Sequence, residues 1–216
     1  MEILTKYAPL LANGLLQTAW ITLLGASCAL LAALLLNVAT SSGMRLLMAA
    51  VRIYTELILG LPILVLLYLL YFAGPNFGLR LSAMTTGVAT LTLYYSPYMA
   101  EAIRAAIAAV PKGQIEAGRS LAMSGLAIAR HLIWPQALGL MLPTLTGLLI
   151  GLAKDTAILS VISVKELAYF TKQVVSRTYM PFEVWAGVVL VYWICLSLLE
   201  LVLRGLEHRV SRYRRV

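Results

Sequence analysis

The chain has 216 residues, of which 61% are hydrophobic and only 12% are charged. Soluble domains are roughly 45–50% apolar and about 25% charged. This composition, with a mean hydropathy of +0.88, excludes an ordinary soluble globule and indicates an integral membrane protein. Seventeen Lys and Arg against nine Asp and Glu give a net charge of +8. In a soluble protein that excess would suggest nucleic-acid binding, but here we assign it to membrane topology.

Uncharged stretches separated by charges and turns predict five transmembrane helices, since each span needs roughly 20 apolar residues. The second span stops at the turn Gly74-Pro75-Asn76, and the third is followed directly by Glu101 and Arg104. The predicted spans are residues 10–38, 57–79, 81–100, about 134–153 and about 184–203. We expect one all-α integral membrane domain over residues 1–216, with its core at about 10–205. Five spans place the two termini on opposite sides of the membrane.

The distribution of basic residues predicts the orientation, because Lys and Arg accumulate in cytoplasmic loops. An external N-terminus leaves six basic residues outside: Lys6, Arg80, Lys154, Lys165, Lys172 and Arg177. It places eleven in the cytoplasm: Arg45, Arg52, Arg104, Lys112, Arg119, Arg130, Arg204, Arg209, Arg212, Arg214 and Arg215. The asymmetry therefore favours an external N-terminus and a cytoplasmic C-terminus.

The two long connections between spans differ in character. The cytoplasmic one, about 104–133, predicts a helix over about 112–123. A second helix follows, capped by Ser124, with Gly125 easing the turn, and Pro135 ends or kinks it. The external connection, 154–183, is too hydrophobic for a free loop and too short for a hairpin across the bilayer. We expect it to pack partway into the membrane against protein.

The first cytoplasmic helix carries a face of small and apolar residues that another protein could approach closely. Its members are Ala117, Gly118, Leu121 and Ala122, flanked by the charged Glu116 and Arg119. From spacing alone, a surface helix pair that merely joins two spans explains the segment equally well.

Several motifs in this segment and along the chain resemble one family. Glu116-Ala117-Gly118, with Ala122 four residues after Gly118, resembles the Glu-Ala-Ala loop of ABC importer permeases, which docks in a groove on the ATPase subunit. The further matches are Pro111-Lys112-Gly113-Gln114, Leu132-Ile133-Trp134-Pro135, Tyr54-Thr55-Glu56, Gly60-x-Pro62, Glu101-Ala102-Ile103-Arg104, residues 154–162 with Glu166-Leu167, and residues 177–183. In this order they resemble the polar amino acid permeases of the histidine, glutamine, arginine and opine type, over nearly the whole chain.

The resemblance implies a fold, a location and a set of partners. It implies a type I ABC importer permease fold in the bacterial cytoplasmic (inner) membrane, as a multi-pass subunit of a homodimer or heterodimer. ABC ATPase subunits and a periplasmic or extracellular solute-binding protein are the expected partners. ATP and Mg would bind to the ATPase, and this chain would bind no cofactor.

The resemblance also implies where the functional residues lie. The residues expected to dock the ATPase are Glu116, Ala117, Gly118, Arg119, Ala122, Ser124 and Gly125. Glu56, Pro62, Glu101, Lys154, Asp155 and Thr156 are expected along the translocation path or its gate. Ionisable groups at membrane depth are costly and tend to face protein or water. An interfacial pair that ends the fourth span is an equally good explanation of Lys154 and Asp155.

Two groups of residues depart from the family pattern. The family usually has Ala at position 118 and Gly at 122, so this chain exchanges the two small residues. We expect the fit to the ATPase to be kept while local helix flexibility changes. Leu59, Leu61 and Leu66 stand where the family usually carries Arg, Thr and Gln. If that span faces the path, the substrate is less conventional or the partner permease supplies the polar contacts.

Several catalytic classes are excluded by missing motifs. The sequence contains no Gly-x-x-x-x-Gly-Lys-Ser/Thr phosphate loop, so we predict that this chain does not hydrolyse ATP. It shows no catalytic triad, and His131, His208, Cys28 and Cys195 lack metal-ligand spacing. The alternative is a self-sufficient secondary transporter or channel, which five spans without an inverted repeat disfavour.

Overall fold

The computed structural model describes residues 2–210, and every regular element in that range is helical. The α-helices are α1 Glu2–Ser41, α2 Arg45–Leu59, α3 Ile63–Tyr68, α4 Ala83–Ala108, α5 Lys112–Ser120, α6 Gly125–Ile128, α7 Trp134–Asp155, α8 Leu167–Thr178 and α9 Pro181–Val210. Turns of π-helix lie at Leu69–Ala73 and Ala129–Ile133, and 3₁₀ turns at Gly74–Phe77 and Thr156–Ile162. The predicted topology anchors Arg212, Arg214 and Arg215 fall outside the described residues.

The core forms where α1, α4 and α7 pack together. Buried small residues recur every four positions along α1, which lets its backbone approach α4 closely. These residues are Gly25, Ala29 and Ala33, and a Cβ added to Gly25 would lie 3.3 Å from Leu91 Cδ1. The amide of Asn37 donates to the carbonyl of Ala100 on α4 at 3.1 Å. Close backbone contact and this hydrogen bond together hold α1 against α4.

Helix α4 lies inside the bundle rather than at its surface. It begins at Ser82, whose hydroxyl caps the helix by accepting from the Thr85 amide at 3.1 Å. Three of its threonines, Thr86, Thr90 and Thr92, donate to carbonyls of the preceding turn, as Thr90 does to that of Thr86 at 2.8 Å. Polar groups can therefore stay buried on this helix, because each is satisfied internally.

The helical architecture agrees with the prediction, but one of the predicted spans is broken in the structure. Helix α2 ends at Leu59, and the chain turns by 110° before the run Ile63–Phe77 begins. The uninterrupted span 57–79 is therefore wrong, because Gly60 ends α2 and Pro62, at the start of α3, directs the chain away. The other four predicted spans fall within α1, α4, α7 and α9 to within two residues.

The number of spans depends on how the broken helix pair is counted. Among the described residues, three helical runs are long and apolar enough to cross a bilayer: Lys6–Ser41, Gly125–Ile162 and Pro181–Arg209. The bent pair α2 and α3 could add a fourth. Helix α4 spans 26 residues but is less apolar than these three runs. The count of five stays a prediction.

The connection after α7 is packed against the bundle. The amide of Leu167, at the start of α8, donates to Thr18 Oγ1 of α1 at 3.1 Å. A Cβ added to Gly14 would lie 2.9 Å from Leu167 Cα, so α8 rests directly on α1. The expectation that this segment is not a free loop is confirmed, and its depth in the membrane stays a prediction.

The segment predicted to lie in the cytoplasm differs from its prediction in where α5 ends and in which residue makes the turn. Helix α5 stops at Ser120 rather than at 123, because Ala122 takes a left-handed backbone conformation with φ +57°. Ala122, not Gly125, therefore makes the turn. Of the two effects predicted for Pro135, an end or a kink, the helix does not end there, since the helical run Gly125–Ile162 passes through it. The wider π turn at Ala129–Ile133 precedes Pro135 and accommodates its ring and missing amide hydrogen.

Candidate functional site

The α5–α6 hairpin, residues 111–128, is held together by local hydrogen bonds. The amides of Ala122 and Met123 donate to the carbonyls of Arg119 and Gly118 at 2.9 and 3.0 Å. The hydroxyl of Ser124 accepts from the Ala127 amide at 3.2 Å, which confirms Ser124 as the cap of the second helix. These hydrogen bonds join the end of α5 to the start of α6 and stabilise the turn between them.

Gly118 is the residue on which α5 packs against the following helix. A Cβ added there would lie 2.9 Å from Leu132 Cδ1 and 3.2 Å from Ile128 Cγ1. Gly118 is buried, so the absence of a side chain at this position serves close contact inside this chain. Its part in docking the ATPase stays a prediction.

The outer surface of the hairpin combines charges with two leucines. Leu121 is 78% exposed and Leu126 is 81% exposed, one on each side of the turn. The other predicted docking residues are exposed as well: Glu116, Ala117, Arg119, Ala122, Ser124 and Gly125. An exposed apolar pair with flanking charges is typical of a protein–protein contact. Sequence reasoning placed Leu121 on the small-residue face and missed Leu126.

A polar cluster joins the middle of α4 to the end of α7. The hydroxyl of Tyr95 donates to Asp155 Oδ2 at 2.7 Å. The ring centroids of Tyr94 and Tyr98 lie 5.4 Å apart, and Tyr94 packs edge-on against Tyr95 at 5.4 Å. These four residues form the α4–α7 polar cluster. It places a half-buried carboxylate beside three phenol rings, an arrangement that favours a positively charged group.

The other predicted path residues occupy different surroundings. Lys154 is exposed beside Asp155, whereas Thr156 is fully buried and its hydroxyl donates to the carbonyl of Ala153 at 2.8 Å. Thr156 is therefore shielded from solvent by this chain's own residues, and its place along the path stays a prediction. Glu101 is exposed on α4.

Glu56 and Pro62 lie at the bend between α2 and α3. Glu56 pairs with Arg52 at 2.8 Å, and both side chains are more than half exposed. Pro62 is exposed at the start of α3. Tyr54, in the same turn of α2 as Glu56, donates to the carbonyl of Leu93 at 2.6 Å and ties this helix to α4. The bend is therefore attached to α4 through Tyr54, while Glu56 and Pro62 are exposed.

Sequence reasoning assigned no role to Glu166, which the structure buries completely. Its carboxylate caps α8 by accepting from the amides of Ala168 and Tyr169 at 2.9 and 2.7 Å. It also accepts from the Tyr192 hydroxyl of α9 at 3.1 Å. Burial raises the pKa of this carboxyl, and the hydrogen bonds partly oppose that rise. Two sequence signals pointed to it: the family match at Glu166-Leu167, and its position directly before an apolar helix, where an acceptor side chain caps the first amides.

Residues 2–210 contain no group of three or more His, Cys, Asp or Glu side chains placed to hold a metal ion.

Comparison with known proteins identifies relatives over almost the whole length. Residues 25–212 match the model of the family described as binding-protein-dependent transport system inner membrane component. The chain is 34% identical over 205 residues to the glutamine transport system permease protein GlnP of Escherichia coli (strain K12), covering 94% of each. It is 32% identical over 209 residues to the L-cystine transport system permease protein TcyB of Bacillus subtilis (strain 168), covering 96% of this chain and 89% of that one.

Solved structures show the same fold. A chain of a crystal structure described as an amino acid ABC transporter with histidines superimposes with a TM-score of 0.89 at 35% identity, covering 95% of this chain and 96% of that one. A chain of the inward-facing MetNI methionine ABC transporter superimposes with a TM-score of 0.78 at 21% identity, covering 96% of this chain and 99% of that one. The second likeness is one of fold alone.

Proposed function

Because the chain belongs to the family of binding-protein-dependent transport system inner membrane components, we propose that it is the membrane permease subunit of an ABC importer for amino acids. The substrates named for its relatives, glutamine and cystine, define the class that we expect it to carry. The observation that carries this proposal is the full-length similarity, at 34% identity over 94% of both chains, to a glutamine permease. The chain itself is non-catalytic, and ATP is hydrolysed by a separate subunit.

The α5–α6 hairpin is the proposed docking element for that ATPase. Leu121 and Leu126 would insert into an apolar groove, with Glu116 and Arg119 forming charged contacts at its rim. Fully burying a leucine side chain stabilises a contact by roughly 1.5–3 kcal/mol, so burial of both leucines would contribute to the affinity. Close approach of the ATPase would be permitted by the small exposed residues of the hairpin, which are Ala117, Ala122, Ser124 and Gly125. Gly118, buried behind them, would support the hairpin from inside this chain.

One continuous helical run would transmit the movement of the hairpin. It extends from Gly125 to Ile162 and carries Asp155 of the α4–α7 polar cluster. At a rise of 1.5 Å per residue, Gly125 and Asp155 lie about 45 Å apart along the helix. Uphill transport requires that ATP binding bias a two-state rearrangement. Closure of the ATPase pair would move this rod as a unit and alter the polar cluster at its far end.

The proposed translocation path runs past the open side of this rod. Asp155, held by Tyr95, and exposed Lys154 are the charged groups at its end. Glu56 and Pro62 at the α2–α3 bend and Glu101 on α4 are the other proposed path or gate residues. Thr156 would enter the path only after a rearrangement that exposes it.

The topology is part of the proposal. We expect a single domain over residues 1–216, with five spans if the bent pair and α4 both cross the membrane. The N-terminus would lie outside and the C-terminus in the cytoplasm of a bacterial inner membrane. Two permeases, identical or different, would assemble with two ATPases and an external binding protein. ATP and Mg would bind to the ATPases, and this chain would bind no cofactor.

An uptake assay tests the function directly. Cells that produce the permease with its cognate ATPase and binding protein would take up labelled L-glutamine, with unlabelled amino acids as competitors. We expect uptake that stops when the ATPase carries a substitution in its phosphate loop. Uptake that continues with the inactive ATPase would favour a self-sufficient secondary transporter.

A further inference from the structure

An apolar groove runs between α1 and α9, with α7 at its base. It encloses about 370 Å³, within the range of small-molecule sites. One wall lies within residues 15–26 of α1 and the other within residues 192–203 of α9, and Leu149 and Ala153 of α7 lie between them. We call this feature the α1–α9 groove. It includes neither the hairpin nor the α4–α7 polar cluster, so the functions proposed above do not account for it.

The three hydroxyl-bearing side chains that line the groove make hydrogen bonds within this chain. Thr22 donates to the carbonyl of Thr18 at 2.8 Å, and Thr18 Oγ1 accepts from the amide of Leu167 at 3.1 Å. The Tyr192 hydroxyl donates to Glu166 at 3.1 Å. The other lining residues are leucine, alanine and cysteine. The groove therefore presents a hydrocarbon surface and offers a polar solute little to bind.

The groove opens on the apolar surface of the chain that faces the membrane. The two helical runs that contain α1 and α9 are more apolar and less buried than the run that contains α7. Large apolar side chains are exposed on both helices that form the walls: Leu16 and Trp20 on α1, and Leu198 and Val202 on α9. In a membrane such surfaces meet lipid or another apolar helix. The occupant of the groove therefore comes from the bilayer.

The dimensions of the groove fit a single hydrocarbon chain rather than a helix. Residues 15–26 and 192–203 each extend about 16 Å at a rise of 1.5 Å per residue, close to half of the roughly 30 Å hydrocarbon core. Dividing 370 Å³ by this length gives a mean cross-section of about 23 Å². A chain whose atoms contact the walls at about 4.0–4.5 Å takes roughly 16–20 Å². A helix of about 10–12 Å diameter takes roughly 80–110 Å².

The end of α9 beyond the groove carries an excess of positive charge. Over residues 200–215 the sequence has five arginines and two glutamates. Arg204 directly follows the last groove residue, Leu203, and pairs with Glu200, and the exposed Arg209 lies further along the helix. Basic residues next to a membrane helix attract anionic lipid head groups. A phospholipid with its chain in the groove would bring its phosphate to this end of α9.

We propose that the α1–α9 groove binds one acyl chain of an anionic glycerophospholipid, with the phosphate of that lipid at the basic end of α9. The bound chain fills the space that α1 and α9 leave over α7 and restores contacts that an empty groove lacks. Helix α7 belongs to the helical run Gly125–Ile162, which we propose transmits movement, so the lipid would pack against the moving element. This site is separate from solute transport, because it takes a component of the membrane.

Photolabelling of the assembled importer tests the proposal. The importer is reconstituted into vesicles of phosphatidylcholine that hold a small fraction of phosphatidylglycerol with a diazirine in one acyl chain. After irradiation, mass spectrometry locates the labelled residues. Unlabelled phosphatidylglycerol then replaces part of the phosphatidylcholine, at a constant amount of probe and of total lipid. Phosphatidylcholine with the same diazirine chain is the matched probe for the head group.

We expect the phosphatidylglycerol probe to label Ala19 and Cys195, which line opposite walls of the groove. Unlabelled phosphatidylglycerol should suppress this labelling but leave that of the lipid-facing Leu198 unchanged. Arg209→Gln should raise the suppressing concentration by about fivefold, as for loss of one basic residue near the membrane surface. Arg177→Gln, an exposed arginine on α8, should not change it.

Two substitutions fill the groove from opposite walls. Cys195→Trp should abolish the labelling of Ala19, and Ala19→Phe should abolish that of Cys195. Leu198→Trp adds the same ring to the lipid-facing side of α9 and should leave both unchanged. The competition experiment uses the unaltered chain, so it decides the question even if a filling variant fails to assemble.

Four results would overturn the proposal. They are groove labelling that unlabelled phosphatidylglycerol suppresses no more than labelling at Leu198, equal groove labelling by the phosphatidylcholine probe, and groove labelling that survives both filling substitutions. The fourth is absence of lipid adducts together with cross-linking of Cys195 to a second copy of the permease by a bismaleimide, which would place another helix over the groove.

Discussion

The Tyr95 hydroxyl donates a 2.7 Å hydrogen bond to Asp155, across 60 residues of sequence, and thereby joins α4 to the end of α7. Gly151 lies one turn before Asp155, and a Cβ there would come within 3.0 Å of the same hydroxyl. The absence of a side chain at position 151 is what admits the tyrosine. This contact connects the helical run Gly125–Ile162, which we propose transmits the movement of the hairpin, to the buried centre of the bundle.

Substitution at this contact should separate transport from stability. We expect Tyr95→Phe to cost roughly 1–3 kcal/mol of stability, because it leaves a half-buried carboxylate without its donor. Asp155→Asn keeps the shape of the side chain and removes its charge. It should therefore reduce uptake strongly while changing the melting temperature little. Uptake and thermal unfolding of the purified complex are the two measurements.

Tyr98→Phe is the matched control, since that hydroxyl makes only a 3.5 Å contact with Tyr94. It should change neither uptake nor melting temperature appreciably. Full uptake by Asp155→Asn would remove this carboxylate from the path.

The exchanged small residues of the hairpin predict a reciprocal pair of effects. Gly118→Ala should destabilise by about 1–3 kcal/mol, because its methyl group meets Leu132 and Ile128. Ala122→Gly should stabilise the turn by roughly 1 kcal/mol, because the left-handed conformation is unfavourable for alanine. Thermal unfolding checks both signs.

Gly113→Ala on the same helix meets nothing within 4 Å and should not destabilise. If Gly118→Ala were equally harmless, α5 would not pack on its neighbour as described.

Glu166 predicts a pH dependence of stability. Because burial raises the pKa of this carboxyl in the folded state, the folded protein binds the proton more tightly than the unfolded chain. The stabilising contribution is fully present below the ordinary glutamate pKa of about 4.3 and is lost as the pH rises through the raised pKa. Glu166→Gln should therefore flatten the pH profile of the melting temperature just above the ordinary glutamate pKa of about 4.3.

Glu166→Ala removes the cap and the partner of Tyr192 at every pH and should cost roughly 1–3 kcal/mol. The exposed Glu183→Gln should leave the slope unchanged. An unaltered profile in Glu166→Gln would show that this carboxyl has no raised pKa.

The sequence predicted helices well wherever an apolar run coincided with one helix. Residues 134–153 match α7 closely, and Ser124 was identified as a cap from its residue type alone. The bend at Gly60 and Pro62 was missed because hydropathy reports burial in lipid but not the direction of the chain.

Contacts between distant residues were beyond prediction. A small residue such as Gly118 permits close approach either by a partner protein or by another part of the same chain. Only the position of Leu132 in the folded structure shows that the close contact is within this chain. Tyr95 carries no local signal of its partnership with Asp155, because the two are brought together by packing of α4 on α7. Among the residues proposed for the path, the sequence identified the carboxylate of Asp155 but not the Tyr95 hydroxyl that donates to it.

The orientation predicts opposite accessibility for two engineered cysteines. In a background without Cys28 and Cys195, Ser176→Cys on α8 should react with a membrane-impermeant maleimide in intact cells. Gly113→Cys on α5 should react only after the membrane is permeabilised. Both positions are exposed in the structure. The reverse pattern would place the N-terminus in the cytoplasm.

The central claim is that the movement of the ATPase subunits during ATP binding and hydrolysis is transmitted to this chain through the α5–α6 hairpin. ATP-driven uptake of labelled L-glutamine into proteoliposomes that hold the permease, its ATPase and its binding protein measures this coupling most directly. We expect Leu121→Ser with Leu126→Ser, and separately Glu116→Lys, to reduce uptake and ATPase co-purification by roughly tenfold or more, with normal insertion. Leu46→Ser, an equally exposed leucine at the start of α2, should retain both. Uptake without ATP, or full uptake and ATPase retention in the hairpin variants, would contradict the account.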